Sequence, residues 1–82
     1  MSTASPAPQT AVLDCLGKAC PVPVIELARA VAELEVGEQL LLLSDDPGAK
    51  VDIPVWCRMK GQELVGVTQD GGALRFTVRR SS

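Results

Sequence analysis

Cys20-Pro21-Val22-Pro23 is the stretch of this 82-residue chain whose residue types and spacing point most directly to chemistry. Proline is tolerated in the first turn of a helix, where N–H groups have no intrahelical acceptor, so Pro21 reads as the first helical residue and Cys20 as its N-cap. A thiol in that position faces unpaired N–H donors and the positive end of the helix dipole, and both favour the thiolate. Residues before proline avoid the α region, which restricts both Cys20 and Val22 and stiffens the chain there. The chemistry implied is that of a nucleophilic sulphur held in one direction. A lone Cys-Pro pair also fits a buried apolar cysteine ahead of a helix starter. The second proline and the preceding Gly17-Lys18-Ala19 turn favour the reactive reading.

The rest of the composition narrows what such a thiol can do. Histidine is absent, which removes Cys-His acyl transfer and His-ligated metal sites. Cys15 and Cys57 are the other two cysteines, and an odd total argues against a closed disulfide framework. A thiolate metal site built from Cys15, Cys20 and Cys57 would suit zinc or Cu(I) but falls one ligand short unless Asp14 or a partner completes it, so no metal is expected. Cys20 must therefore work through local electrostatics or through groups supplied by a partner.

Around this motif the hydrophobic pattern outlines a small set of elements. Ala11 to Asp14 reads as a first strand. A helix from Pro21 to Leu34 follows, its apolar face formed by Val24, Ile25, Leu27, Ala28, Val31 and Leu34, with Gly37 as its terminating residue. Glu38 to Ser44 reads as a second strand centred on four consecutive leucines, a pattern of strands covered on both faces. Asp45-Asp46-Pro47-Gly48 breaks the chain and offers two N-cap carboxylates for a second helix over Gly48 to Lys60. Pro54 places the regular part of that helix from about Asp52, and Gly61 closes it. Gln62 to Gln69 and Ala73 to Arg79 form a hairpin through Asp70-Gly71-Gly72, with the glycines where positive φ is needed.

The order β-α-β-α-β-β predicts an α/β (α+β) two-layer sandwich, a four-stranded mixed sheet with both helices on one face. Half of the leucine strand then lies on the open face, either as a contact surface or under the aliphatic stems of residues such as Arg75 and Arg79. The chain divides into a disordered lead-in over residues 1–10 and one domain over 11–80. Its longest apolar run, Leu40 to Leu43, is far too short to span a bilayer. Met1 to Thr10 lacks the basic and apolar segments of a secretory signal, so a cytoplasmic location is the expectation. A net charge of −2 gives no broad footprint for nucleic acid. A partner protein is the expected contact, with the chain itself a monomer or weak dimer.

Leu13-Asp14-Cys15-Leu16-Gly17-Lys18-Ala19-Cys20-Pro21-Val22-Pro23 resembles the signature of the TusA/SirA-like sulphur-carrier family, Leu-Asp-x-x-Gly-x-x-Cys-Pro-x-Pro. Val36-Gly37-Glu38, the leucine strand, Asp45-Asp46-Pro47, Asp52-Ile53-Pro54 and Cys57 resemble further family landmarks in the same order, over roughly residues 12 to 80. The resemblance implies a sulfurtransferase in the carrier sense rather than a self-sufficient catalyst, with no cofactor required. Cys20 would accept sulphane sulphur as a persulfide from a cysteine desulfurase or other donor and relay it to an acceptor protein, with Gly17, Pro21 and Pro23 supporting the motif. It also implies a setting in tRNA thiolation, molybdenum cofactor assembly or sulphur oxidation. Val22 stands where some tRNA-thiolating members carry a charge, which points to a different docking surface. Lys18 and Arg58 are candidate docking charges. Cys15 is either a resolving thiol or a passive strand end, and Cys57 is accounted for by helix packing or by a redox role. The alternatives to sulphur transfer are the thiolate metal module and a regulatory or RNA-contacting module working through the sheet.

Overall fold

The computed structural model describes residues 11–19 and 22–82. Strand β1 (Ala11–Cys15) leads to helix α1 (Val22–Ala32), β2 (Gln39–Ser44), helix α2 (Ala49–Lys60), β3 (Glu63–Asp70) and β4 (Ala73–Arg79). The sheet order is β1-β2-β4-β3. β1 and β2 run parallel, while β4 lies antiparallel to both β2 and β3, giving the mixed four-stranded sheet that the element order predicts.

Both helices bury one stripe against the same face of the sheet. From α1 come Pro23, Leu27 and Val31, and from α2 come Ala49, Ile53 and Cys57, in each case four residues apart. They meet Cys15, Leu40, Leu42, Leu74, Phe76 and Val78 in a single core. The leucine strand alternates accordingly, with Leu40 and Leu42 fully buried and Leu41 and Leu43 half-buried. By register the open face also carries Val12, Asp14, Arg75 and Thr77. Arg75, opposite Leu43, pairs with Asp70 at 4.0 Å, and Arg79, opposite Gln39, pairs with Glu63 at 3.8 Å, so both guanidiniums stay at the surface.

The element boundaries depart from the sequence expectation where a contact distant in sequence takes over. Helix α1 ends at Ala32, and Glu33 and Leu34 continue it only as a tight turn, donating to Ala30 and Val31. Gly37 is therefore not the helix terminator. It sits in a separate turn closed by Glu38 N–H to the Glu35 carbonyl, with φ +97°, and donates its own N–H to Arg80 O at 2.7 Å. In α2 the Ala49, Lys50 and Val51 N–H groups reach three residues back, and Asp52 is the first to reach four back, to Gly48. Regular α bonding thus begins at Asp52 although the helix is continuous through Pro54. Gly61 closes it in the left-handed region, as expected. The N-cap position falls to Gly48, two and three residues beyond Asp46 and Asp45. At the hairpin only Gly71 has positive φ, the pattern of a type II′ turn, which needs it at the first central position alone.

Candidate functional site

β1 and β2 end level with one another, Cys15 opposite Ser44. The loops that leave them are therefore neighbours at the carboxyl end of the parallel strands, the edge where open α/β sheets gather their sites. Residues 16–19 form the first loop and Asp45 to Gly48 the second.

The first loop is fixed one N–H at a time. Asp14 Oδ1 accepts the Leu16 N–H at 3.0 Å, an Asx turn that starts the loop as the strand stops. The Cys15 carbonyl accepts the Lys18 N–H at 3.1 Å, closing a four-residue turn with Gly17 in its third position. There φ is +78°, the value a type II turn demands. A Cβ on Gly17 would meet nothing within 4 Å, so glycine is required by conformation and not by space. The Gly17 N–H itself points to the second loop, where Asp45 accepts it with both carboxylate oxygens, at 3.0 and 3.1 Å. Beyond the turn, Ala19 accepts the Val22 N–H at 3.0 Å.

Cys20 and Pro21, which carry the expected nucleophile and helix start, lie outside the described residues. Pro23 lies inside them, as the second residue of α1 and fully buried. Its missing N–H falls in the first turn, where no intrahelical bond is lost, and its ring anchors the start of the helix in the core. Lys18 is exposed and, with Gly17, Ala19, Asp45, Asp46 and Pro47, lines a shallow cleft of about 200 Å³. Arg58 stands apart. Both helices start at the carboxyl end of the parallel strands, so a residue in the last turn of α2 lies roughly 14 Å further along its axis, toward the opposite end of the domain.

The other two thiols are closed off. Cys15 is fully buried, and burial raises its pKa above the ordinary thiol value; Glu26 and Asp14 add to that shift while Lys18 opposes it. Cys57 is buried on α2, and burial alone raises its pKa. Both are held as neutral thiols at physiological pH. Among the described residues no three His, Cys, Asp or Glu side chains come together as a metal site, and no helix is long and apolar enough to cross a membrane.

Asp45 is the site residue that reading along the sequence assigned to a different role. Its position between a strand and a helix suggests an N-cap, and nothing in local spacing signals a partner 28 positions away. A second surface feature is a groove of about 300 Å³ between the helices, lined by Val24, Asp52, Val55, Trp56 and Met59.

Comparison with known proteins places this arrangement. The chain matches the family described as sulfurtransferase TusA over residues 11–80. It is 47% identical over 68 residues to a protein of Archaeoglobus fulgidus named as a candidate sulfur carrier, covering 82% of this chain and 88% of that one. Against YrkI of Bacillus subtilis, named in the same way, identity is 38% over 69 residues, covering 84% and 92%. The crystal structure of a SirA-like protein from Desulfitobacterium hafniense superposes with a TM-score of 0.78 at 27% identity, covering 89% of this chain and all of that one. The sheet order, the Gly17 turn and the buried Pro23 thus sit in a chain that belongs to the TusA sulfurtransferase family.

Proposed function

We propose that this protein takes up sulphane sulphur as a persulfide on Cys20 and relays it to an acceptor protein. The observation that carries this reading is the burial of the other two cysteines. Cys15 and Cys57 are 0% and 2% exposed with raised pKa values, which leaves Cys20 as the thiol for a partner to meet. In the first step the Cys20 thiolate attacks the outer sulphur of a donor persulfide, forming a new S–S bond and expelling the donor thiolate. In the second an acceptor thiolate attacks the outer sulphur of the Cys20 persulfide, and the Cys20 thiolate leaves. Each step is an exchange at sulphur, so no external oxidant or reductant and no cofactor enters.

A cysteine desulfurase is the natural class of donor, because it makes an enzyme-bound persulfide from cysteine. Lys18 is exposed in the loop that leads to Cys20 and is the docking charge favoured by position, whereas Arg58 belongs to the far end of α2. The test is intact mass after incubation with a desulfurase and cysteine. One added sulphur on the wild-type chain, absent in Cys20→Ser and retained in Cys15→Ser and Cys57→Ser, is the expected result. A sulphur that persists in Cys20→Ser overturns the assignment.

A further inference from the structure

We infer that Asp45 is a positioning residue for Cys20, acting through its hydrogen bond to the Gly17 N–H. The inference rests on the reading of Cys20 as the sulphur-bearing residue and extends it to a residue outside the cysteine motif.

Three consecutive N–H groups of the loop, on Leu16, Gly17 and Lys18, are hydrogen-bonded, but not to equivalent partners. Leu16 is bonded to Asp14 and Lys18 to Cys15, both within the same strand-and-loop segment. Those two bonds set the internal shape of the turn. They leave its orientation relative to the rest of the domain to the chain alone. Gly17 is bonded to the β2–α2 loop, and this contact fixes where the turn points. Cys20 follows three positions further along the chain.

The acceptor is itself held firmly. Asp45 follows Ser44, the fully buried end of β2, which is paired in register with Cys15 at the buried end of β1. The Ser44 hydroxyl accepts the Asp46 N–H at 3.2 Å, so the chain on the far side of Asp45 is tied down as well. The carboxylate is thus carried between two anchored residues, directly across from Gly17. A charged acceptor makes a stronger bond than a neutral one, which lets this contact survive at an exposed position where water competes. Gly17 carries the positive φ of the turn, and its N–H faces Asp45.

Such a clamp has a function in transfer between two proteins. A bound donor persulfide must meet the thiolate in line with its S–S bond, and an error of about an ångström in the attacking atom costs up to roughly a hundredfold in rate. The clamp should therefore govern the rate within the donor complex. It should leave the formation of that complex, and the intrinsic basicity of the thiol, essentially unchanged.

Asp45→Ala removes the acceptor, while Asp45→Asn keeps a carbonyl oxygen in its place and removes the charge. Single-turnover transfer from a cysteine desulfurase loaded with cysteine gives the rate at saturating enzyme and the half-saturating concentration. Alkylation by iodoacetamide across pH gives the reactivity of Cys20 toward a small reagent that needs no docking. Circular dichroism and Gly17 amide exchange report the fold and the hydrogen bond. For Asp45→Ala the expected result is a native spectrum, faster Gly17 exchange, a loss of roughly tenfold or more in the saturating rate, and unchanged half-saturation and alkylation profile. Asp45→Asn should recover most of that rate.

Several results overturn the inference. A native-like rate in Asp45→Ala, whether or not stability falls, makes the bond structural only. A shifted alkylation profile shows that Asp45 acts on the thiol charge, and a shifted half-saturation shows that it docks the donor. Equal losses in Asp45→Ala and Asp45→Asn trace the effect to charge and not to the hydrogen bond. A wild-type chain that loads neither from the desulfurase nor from glutathione persulfide overturns the reading of Cys20 itself and the inference with it.

Discussion

Cys15 and Cys57 show what the same side chain becomes in two different settings from that implied for Cys20. In the core their thiols are desolvated and resist ionisation, which raises their pKa values. That shift ties stability to pH. A group whose pKa is raised by folding contributes stability that is fully present below its unfolded value, about 8.5 for a thiol, and that is lost as pH rises through the folded value. Thermal melting followed from about pH 7 to about pH 10 should therefore show a falling midpoint above about pH 8.5. A Cys15→Ala, Cys57→Ala double variant should show a shallower fall, although its neutral-pH midpoint is lower. Equal slopes for the two proteins would mean that neither thiol is held neutral by the fold. The Gly17 turn and the place of Pro23 in the first turn of α1 were legible from the sequence, because both are fixed by residues close together in the chain. The burial of Cys15 was not legible, because it depends on strand register. β1 extends one residue further than its apolar pattern suggests and turns that thiol toward Ser44 and the core.

At the scale of the element, helix α1 holds the clearest dependence on a distant residue. Its last carbonyls lack a full set of intrahelical donors, and the Arg80 guanidinium from just beyond β4 adds donors there, beside the Leu34 N–H that already reaches Val31. One guanidinium nitrogen donates to the carbonyls of Val31, Ala32 and Leu34, at 3.5 Å and 3.3 Å for the first two. A cation at a helix C-terminus also suits the macrodipole. The backbone of Arg80 bonds Gly37 and Glu38, so one residue fastens both the helix end and the connection that follows. This explains why Gly37, which reads as a helix terminator along the sequence, serves the following turn instead, since the cap comes from 48 positions away. The strands and the existence of both helices were legible because period 2 and period 3.6 are properties of short windows. The end of α1 was not, since it is settled by a partner outside any window, whereas Gly61 closes α2 as its local pattern suggests. Arg80→Ala is expected to destabilise the protein by about 1–2 kcal/mol, the range for hydrogen bonds from a charged donor at a half-buried site. Arg80→Lys should recover part of this by keeping the charge without the planar fork. Urea denaturation of the three proteins reads the difference, and an Arg80→Ala midpoint equal to wild type would show that water caps α1 as well as the guanidinium does.

Over the whole molecule, the helices and the sheet share one aliphatic core with Phe76 near its centre. Phe76 is fully buried on β4, between β2 and β3, on the face that both helices cover. Each helix lays its buried stripe on the sheet, so neither can keep that stripe dry once the sheet is lost. The loops that carry Gly17 and Asp45 inherit this dependence, because both spring from the ends of strands packed in that core. A domain of this size has about 4–12 kcal/mol of stability in total, and replacing a fully buried phenylalanine by alanine removes about 3–5 kcal/mol through lost burial and the cavity left behind. Phe76→Ala is therefore expected to consume a large share of the stability of the fold and to loosen the site together with the core. Trp56 is the sole tryptophan and lies partly buried on α2, so its fluorescence reports that helix while far-ultraviolet circular dichroism reports helices and strands together. In urea the two signals should move to lower midpoints by the same amount and remain superimposed, as a single cooperative unit requires. Separation of the two transitions, with α2 released before the remaining structure, would show that the helices hold to the sheet independently and that the clamp between the two loops can open without global unfolding.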